Sequence, residues 1–143
     1  MKKIIYVDMD GVIADFDKAA KQGGYTHRPD LKVNFRDLDL IPGARDALIR
    51  LNNDFDIFIA TTPPWSRPDV WTHKREWLEE HFPWLKRKLI FTHRKDLLIG
   101  DVLIDDTRWR GQPDFKGQWL WFGTAQRVKD WPSTLEWIYK NKI

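Results

Sequence analysis

The chain has 143 residues, 31% of them charged and 42% hydrophobic, which is an ordinary globular balance with enough length for one core. It has no cysteine, so disulfides, thiolate metal ligands and thiol nucleophiles are excluded, and a cytoplasmic location is the expectation. The net charge of +3 mildly favours anionic partners, and the uncharged runs fall far short of the ~20 residues needed to cross a bilayer.

The first strand is the apolar, β-branched run Ile4 to Val7, which delivers Asp8 and Asp10 and stops at Gly11. A helix is expected over Val12 to Gln22, halted by Gly23-Gly24. Residues 24–41 are polar, contain Pro29 and lack periodicity, so they read as a small irregular insertion. Pro42-Gly43 opens a second helix with Ala44, Ala47, Leu48 and Leu51 at helical spacing. Phe55 to Ala60 is the second strand and leads into Thr61-Thr62-Pro63-Pro64. A third helix begins at Arg67-Pro68-Asp69, with Val70, Trp71, Trp77, Leu78 and Phe82 as its apolar face, and Pro83 ends it. Leu89 to Phe91, Val102 to Ile104 and Trp119 to Phe122 read as three more strands. They lead into Thr92-His93-Arg94-Lys95, Asp105-Asp106 and Gly123 respectively. A last helix is expected near Ser133, with a Ser133–Glu136 capping box and Leu135, Ile138 and Tyr139 facing inward.

Strands alternating with helices predict an α/β fold whose mostly parallel sheet is covered on both faces. No repeat or linker divides the chain. In such a sheet the strand ends share one edge, where ligands bind. That edge would gather Asp8, Asp10, Thr61, Thr62, Lys95, Asp105 and Asp106. Each piece alone has a plainer explanation: the aspartates as turns or caps, the threonines as a strand end, and Lys95 as a solvated loop residue. Together they suit a phosphate held by a cation and a lysine beside a carboxylate nucleophile. Crowded carboxylates repel unless a proton or cation relieves them, and oxygen-rich sets favour magnesium.

These segments resemble the four motifs of the haloacid dehalogenase superfamily phosphatases: Asp8-Met9-Asp10-Gly11, Thr61, Lys95 and Asp105-Asp106. A finer resemblance is to the 5'(3')-deoxyribonucleotidases. It is carried by residues 8–16 (DMDGVIADF), by Leu40-Ile41-Pro42-Gly43-Ala44, by residues 74–82 (KREWLEEHF) and by Leu103-Ile104-Asp105-Asp106. The resemblance implies a three-layer, Rossmann-like single domain over 1–143, a five-stranded sheet of order 3-2-1-4-5, and a short cap insertion at about 17–40 where those enzymes carry a larger one. It also implies Asp8 as nucleophile and Asp10 as general acid and base. Mg2+ would be held by Asp8, Asp106 and the backbone carbonyl of Asp10, with Asp105 in support. Phosphate would be held by Thr61, Thr62 and Lys95. Phe16 matches an aromatic near the nucleoside, with helix packing as the alternative.

The expected substrate is a small phosphomonoester, foremost a (deoxy)nucleoside monophosphate. A nucleic-acid terminal phosphate or a sugar phosphate is the alternative within the same chemistry, and a basic, Trp-rich nucleic-acid-binding module is the non-enzymatic one. Neither a stable nucleic-acid partner nor a membrane is expected, and a homodimer is compatible with an open site. Lys18, Lys21, Arg28, Lys32 and Arg36 give the insertion a basic character. Most of the nine tryptophans are expected to pack in the core or under loops; Trp65 is placed under a loop, and Trp109 either there or at the entrance. The four histidines lack metal-ligand spacing.

Overall fold

The computed structural model describes residues 1–124 and 127–143. Five strands, β1 (Ile4–Val7), β2 (Asp56–Thr61), β3 (Leu89–Phe91), β4 (Val102–Asp105) and β5 (Gln118–Trp121), form one sheet of order β3-β2-β1-β4-β5. Every pairing is parallel, so all five C-terminal ends lie on one edge, as the sequence predicts.

Alternation along the strands sorts side chains to the two faces. Ile5, Val7, Ile57, Ile59, Val102, Ile104 and Leu120 enter the larger core cluster. The buried apolar residues of all four helices join it: α1 (Phe16–Gly23), α2 (Ala44–Asp54), α3 (Pro68–His81) and α4 (Trp131–Asn141). The opposite face, built on Tyr6, Ala60, Leu103 and Phe115, is also covered, but by chain carrying the short 3-10 turns Lys95–Leu97 and Gln112–Asp114 rather than by helix. These turns bring Lys95 to the strand ends.

Two helix starts differ from the sequence reading. Residues 12–15 are not helical, because Val12, Ile13 and Ala14 all donate backbone N–H groups to the Met9 carbonyl and close a tight loop. α1 therefore starts at Phe16, capped by the Asp15 carboxylate accepting from Lys18 N–H, and stops as expected at Gly24 in the left-handed conformation. α4 starts at Trp131, with Pro132 in its first turn. Its capping box pairs Asp130 with Ser133, so Ser133 answers the cap instead of providing it. Trp131, Thr134 and Ile138 are its buried residues. Leu135 and Tyr139 are only partly buried. In residues 17–40, after α1, two 3-10 turns form at Pro29–Leu31 and Phe35–Asp37, with Val33 and Phe35 buried. No helix among the described residues is long and apolar enough to cross a membrane.

Candidate active site

Register builds the floor of the site. Val7 pairs with Ile104, so the next residue of the chain, Asp8, emerges beside Asp105, and its N–H donates to the Ile104 carbonyl at 2.9 Å. Carboxylate oxygens of Asp8, Asp105 and Asp106 lie within 4.8 Å of one another. Lys95, 1% exposed, places Nζ 3.1 Å from Asp8 Oδ1 and 2.5 Å from Asp105 Oδ2. The other Asp105 oxygen accepts from Thr107 N–H at 3.1 Å. Both oxygens of Asp105 are thus engaged, whereas Asp106 Oδ1 is buried with no partner.

The electrostatics follow from three crowded carboxylates, of which only Asp8 and Asp105 reach the Lys95 ammonium. Burial and then Asp105 push Asp8 up to about 6, against the pull of Lys95. Burial and then Asp8 push Asp106 up to about 10. Burial opposes the Lys95 charge, but Asp8 and Asp105 outweigh it and hold the ammonium above the ordinary lysine range. A divalent cation would offset this excess of negative charge, and the all-oxygen donor set suits a hard ion. The unpartnered Asp106 oxygen is open to one. Gly11, at φ +82°, leaves the space for Asp106, since a Cβ built there would run into its carboxylate.

Asp10 lies apart from that cluster. Its Oδ2 takes a hydrogen bond from Lys74 Nζ at 2.6 Å, and the same ammonium donates to Thr61 Oγ1 at 2.9 Å. The Asp10 side chain is therefore paired with a cation, with its second oxygen buried and unpartnered, which leaves the backbone carbonyl as the expected metal contact of this residue. Lys74 is 0% exposed and packs over the Phe35 ring at 5.1 Å. The sequence reading missed it, although the signal was there. Val70, Lys74, Trp77 and Leu78 are the buried residues of α3, and Lys74 fills the i+4 place of that stripe. Thr61 is buried with Lys74, while the Thr62 hydroxyl donates to the Thr92 carbonyl at 2.7 Å and its residue lines the pocket.

Tryptophans fasten the loops around these groups. Trp119 and Trp121 stack at 5.1 Å and donate indole N–H groups to the backbone carbonyls of Asp105 (3.3 Å) and Asp106 (3.0 Å). Trp131 donates to the Val12 carbonyl at 2.8 Å, Trp77 to that of Leu38 at 2.7 Å and Trp71 to that of Pro64 at 3.3 Å. Each indole buries apolar area and also satisfies a carbonyl that a loop would leave unpaired.

The resulting cavity of about 750 Å³ has Asp8, Asp106 and Lys95 in its floor, and Phe16, Arg28 and Phe35 on the side of the insertion. Phe16 packs on Phe35 with ring centroids 5.6 Å apart, so it both packs and faces the cavity. The expected burial of Trp65 under a loop is overturned. It is 81% exposed at the mouth, its ring edge against Trp71 and His93, because α3 and the loop after β3 have already placed those two rings there. Trp109, 71% exposed, also borders the cavity. The basic character of the insertion is largely neutralised: Lys18 pairs with Asp39, Arg28 with Asp30, and Arg36 with Glu80.

A parallel sheet of this order, with acidic residues at the ends of its first and fourth strands, has the architecture of the haloacid dehalogenase-like hydrolases. A haloacid dehalogenase-like family hydrolase from Xanthomonas campestris superposes with a TM-score of 0.62 at 13% identity, over 98% of this chain and 93% of that one. Residues 24–129 match the family model described as 5' nucleotidase, deoxy (pyrimidine), cytosolic type C protein. A Vibrio phage KVP40 protein provisionally named 5'(3')-deoxyribonucleotidase is 34% identical over 96% of this chain and 85% of its own length. The human cytosolic-type 5'(3')-deoxyribonucleotidase is 33% identical over 71% of this chain and 69% of its own. A Staphylococcus epidermidis relative, at 35% identity, is matched over 53% of its length. The chain belongs to this deoxyribonucleotidase family of phosphatases, and its fold is that of the haloacid dehalogenase-like hydrolase.

Proposed function

We propose that this chain is a Mg2+-dependent phosphomonoester hydrolase that acts on (deoxy)nucleoside monophosphates through an aspartyl-phosphate intermediate. The observation that carries the reading is the buried Asp8 carboxylate, bridged by Lys95 to Asp105 and crowded by Asp106, in the floor of one open cavity. Asp8, Asp106 and the Asp10 backbone carbonyl would hold Mg2+, with Asp105 supporting through Lys95. The ion supplies charge neutralisation for the phosphoryl oxygens.

In the first step an Asp8 oxygen attacks phosphorus, the bond from phosphorus to the ester oxygen breaks, and Asp10 gives its proton to that oxygen. In the second, Asp10 takes a proton from water as the water oxygen attacks the same phosphorus. Inorganic phosphate leaves and the Asp8 carboxylate is restored. Lys95 offsets charge on the nucleophile and phosphoryl group, Thr61 and Thr62 hold phosphate oxygens, and Lys74 keeps Asp10 aimed. Phe16 and the insertion at 17–40 border the nucleoside side as a short cap of the single domain. The absence of cysteine and the cytosolic-type name of the human relative support a cytoplasmic setting.

The test is a panel of deoxynucleoside 5'- and 3'-monophosphates, ribonucleotides and sugar phosphates, with Mg2+ and with EDTA. Preferred turnover of deoxynucleoside monophosphates, lost in EDTA and restored by Mg2+, is the expected result. Metal-independent turnover, or preference for a base-free sugar phosphate, contradicts it.

A further inference from the structure

Seven of the nine tryptophans have a structural occupation. Five fasten loop or strand-end carbonyls, and Trp84 and Trp137 pack against the core. The remaining two, Trp65 and Trp109, are the ones at the mouth of the cavity, 81% and 71% exposed. They sit on different loops. Trp65 follows β2, and Trp109 follows β4, three residues beyond Asp106. Beside Trp109 stand two cations. The Arg108 guanidinium lies over the Trp109 ring at 4.7 Å, and Arg110 borders the cavity with no ion pair among the described residues.

We propose that Trp65 and Trp109 form an open stacking site for successive bases, and that the cavity therefore accepts the terminal phosphate of a single-stranded nucleic acid as well as a free nucleotide. This rests on the phosphatase reading above and extends its substrate class. Large exposed indoles beside the acidic and cationic floor present flat apolar faces, and every nucleobase has a π-face to stack on them, which a deoxyribose phosphate lacks. Two indoles on separate loops offer more stacking area than one base fills. Arg108 and Arg110 supply cations for a phosphodiester leaving the mouth.

The insertion does not close over that exit. Arg36 to Glu80, the Arg67 guanidinium to the Val33 carbonyl and the Trp77 indole to the Leu38 carbonyl tie it back to the body of the protein at 3.1, 2.8 and 2.7 Å. A strand held in this way keeps its terminal phosphate at Asp8 while the rest of it runs out past the rim. The chemistry is unchanged, with water consumed, phosphate released and the terminal hydroxyl freed.

The experiment measures kcat/KM for three substrates on the whole protein with Mg2+: thymidine monophosphate, a thymidine tetranucleotide carrying one terminal phosphate at either end, and deoxyribose 5-phosphate. The tetranucleotide should be dephosphorylated within about tenfold of the mononucleotide. In Trp109→Ala and Trp65→Ala, both changes at exposed rings that leave the core intact, its advantage over deoxyribose 5-phosphate should fall about tenfold, the range expected for losing one stacked base. Raising salt should weaken the tetranucleotide more than the mononucleotide. Turnover of the mononucleotide without the tetranucleotide overturns this inference and leaves the phosphatase reading standing. So does an unchanged tetranucleotide advantage in both variants. No turnover of any of the three overturns both.

Discussion

Asp8 and Asp10 stand two residues apart in the chain, yet they belong to different electrostatic regions. Asp8 lies in a buried group of three carboxylates, two of them on Lys95, where burial and like charge push it up to about 6. Asp10 faces the other way, onto the ammonium of Lys74 and the hydroxyl of Thr61. One loop therefore separates a carboxylate short of cations from a carboxylate supplied with one. The difference teaches how two identical side chains can be given different surroundings by one loop, and the proposed mechanism builds on it, with Asp8 to share a metal ion and meet phosphorus and Asp10 to be aimed for proton transfer. Fixed partners, rather than residue type, make the assignment.

The contrast is broken most severely by removing Lys74. Lys74→Met should lower kcat by about 10²- to 10³-fold, the scale of a misdirected general acid–base, with Mg2+ affinity little changed. Steady-state kinetics beside a Mg2+ titration reads both. Lost Mg2+ affinity with retained kcat would place Lys74 on the Asp8 side instead.

Gly11→Ala attacks the opposite corner. Its Cβ would displace the Asp106 carboxylate, and its φ of +82° strains any side chain. Mg2+ binding, followed by calorimetry, should weaken about tenfold or more, with a stability loss of about 1–2 kcal/mol.

Smaller but sharper is the pH dependence of metal-free stability. Asp8 and Asp106 sit at about 6 and about 10, above their ordinary 3.8. Between those values the folded protein holds more protons than the unfolded chain, so stability is fullest below about pH 4 with respect to these groups and falls as pH rises toward the folded values. Mg2+ held by these carboxylates, as proposed, would compete with those protons. It should therefore raise Tm by about 3 °C more at pH 8 than at pH 5. An equal rise at both pH values would deny that the ion and the protons share these carboxylates.

Much of this was legible in the sequence because it depends on local pattern. Short apolar runs ending in Asp8, Thr61 and Asp105 mark strand ends, and parallel order then brings those ends to one edge. What escaped depends on contacts between distant segments. Lys74 opens the segment 74–82 that carries the family resemblance, but its role shows only when its place between Val70 and Trp77 on the buried stripe is set against the loop that carries Asp10. The basic insertion looked like an anion-attracting rim, but Arg36 is neutralised by Glu80, 44 residues away, a pairing that no local pattern reveals. Trp65 looked like loop packing because exposure of an indole cannot be read from its neighbours in sequence. The start of α1 was misplaced because Met9 draws three successive N–H groups into a loop of its own.

The most direct test of the division between Asp8 and Asp10 is to quench the enzyme in acid during turnover of a nucleoside monophosphate with Mg2+ and map phosphoryl groups by peptide mass spectrometry. The account predicts a hydroxylamine-labile phosphoryl group on Asp8, absent without Mg2+ and absent in Asp8→Asn. A phosphoryl group on Asp10, or full turnover by folded Asp8→Asn, would contradict it.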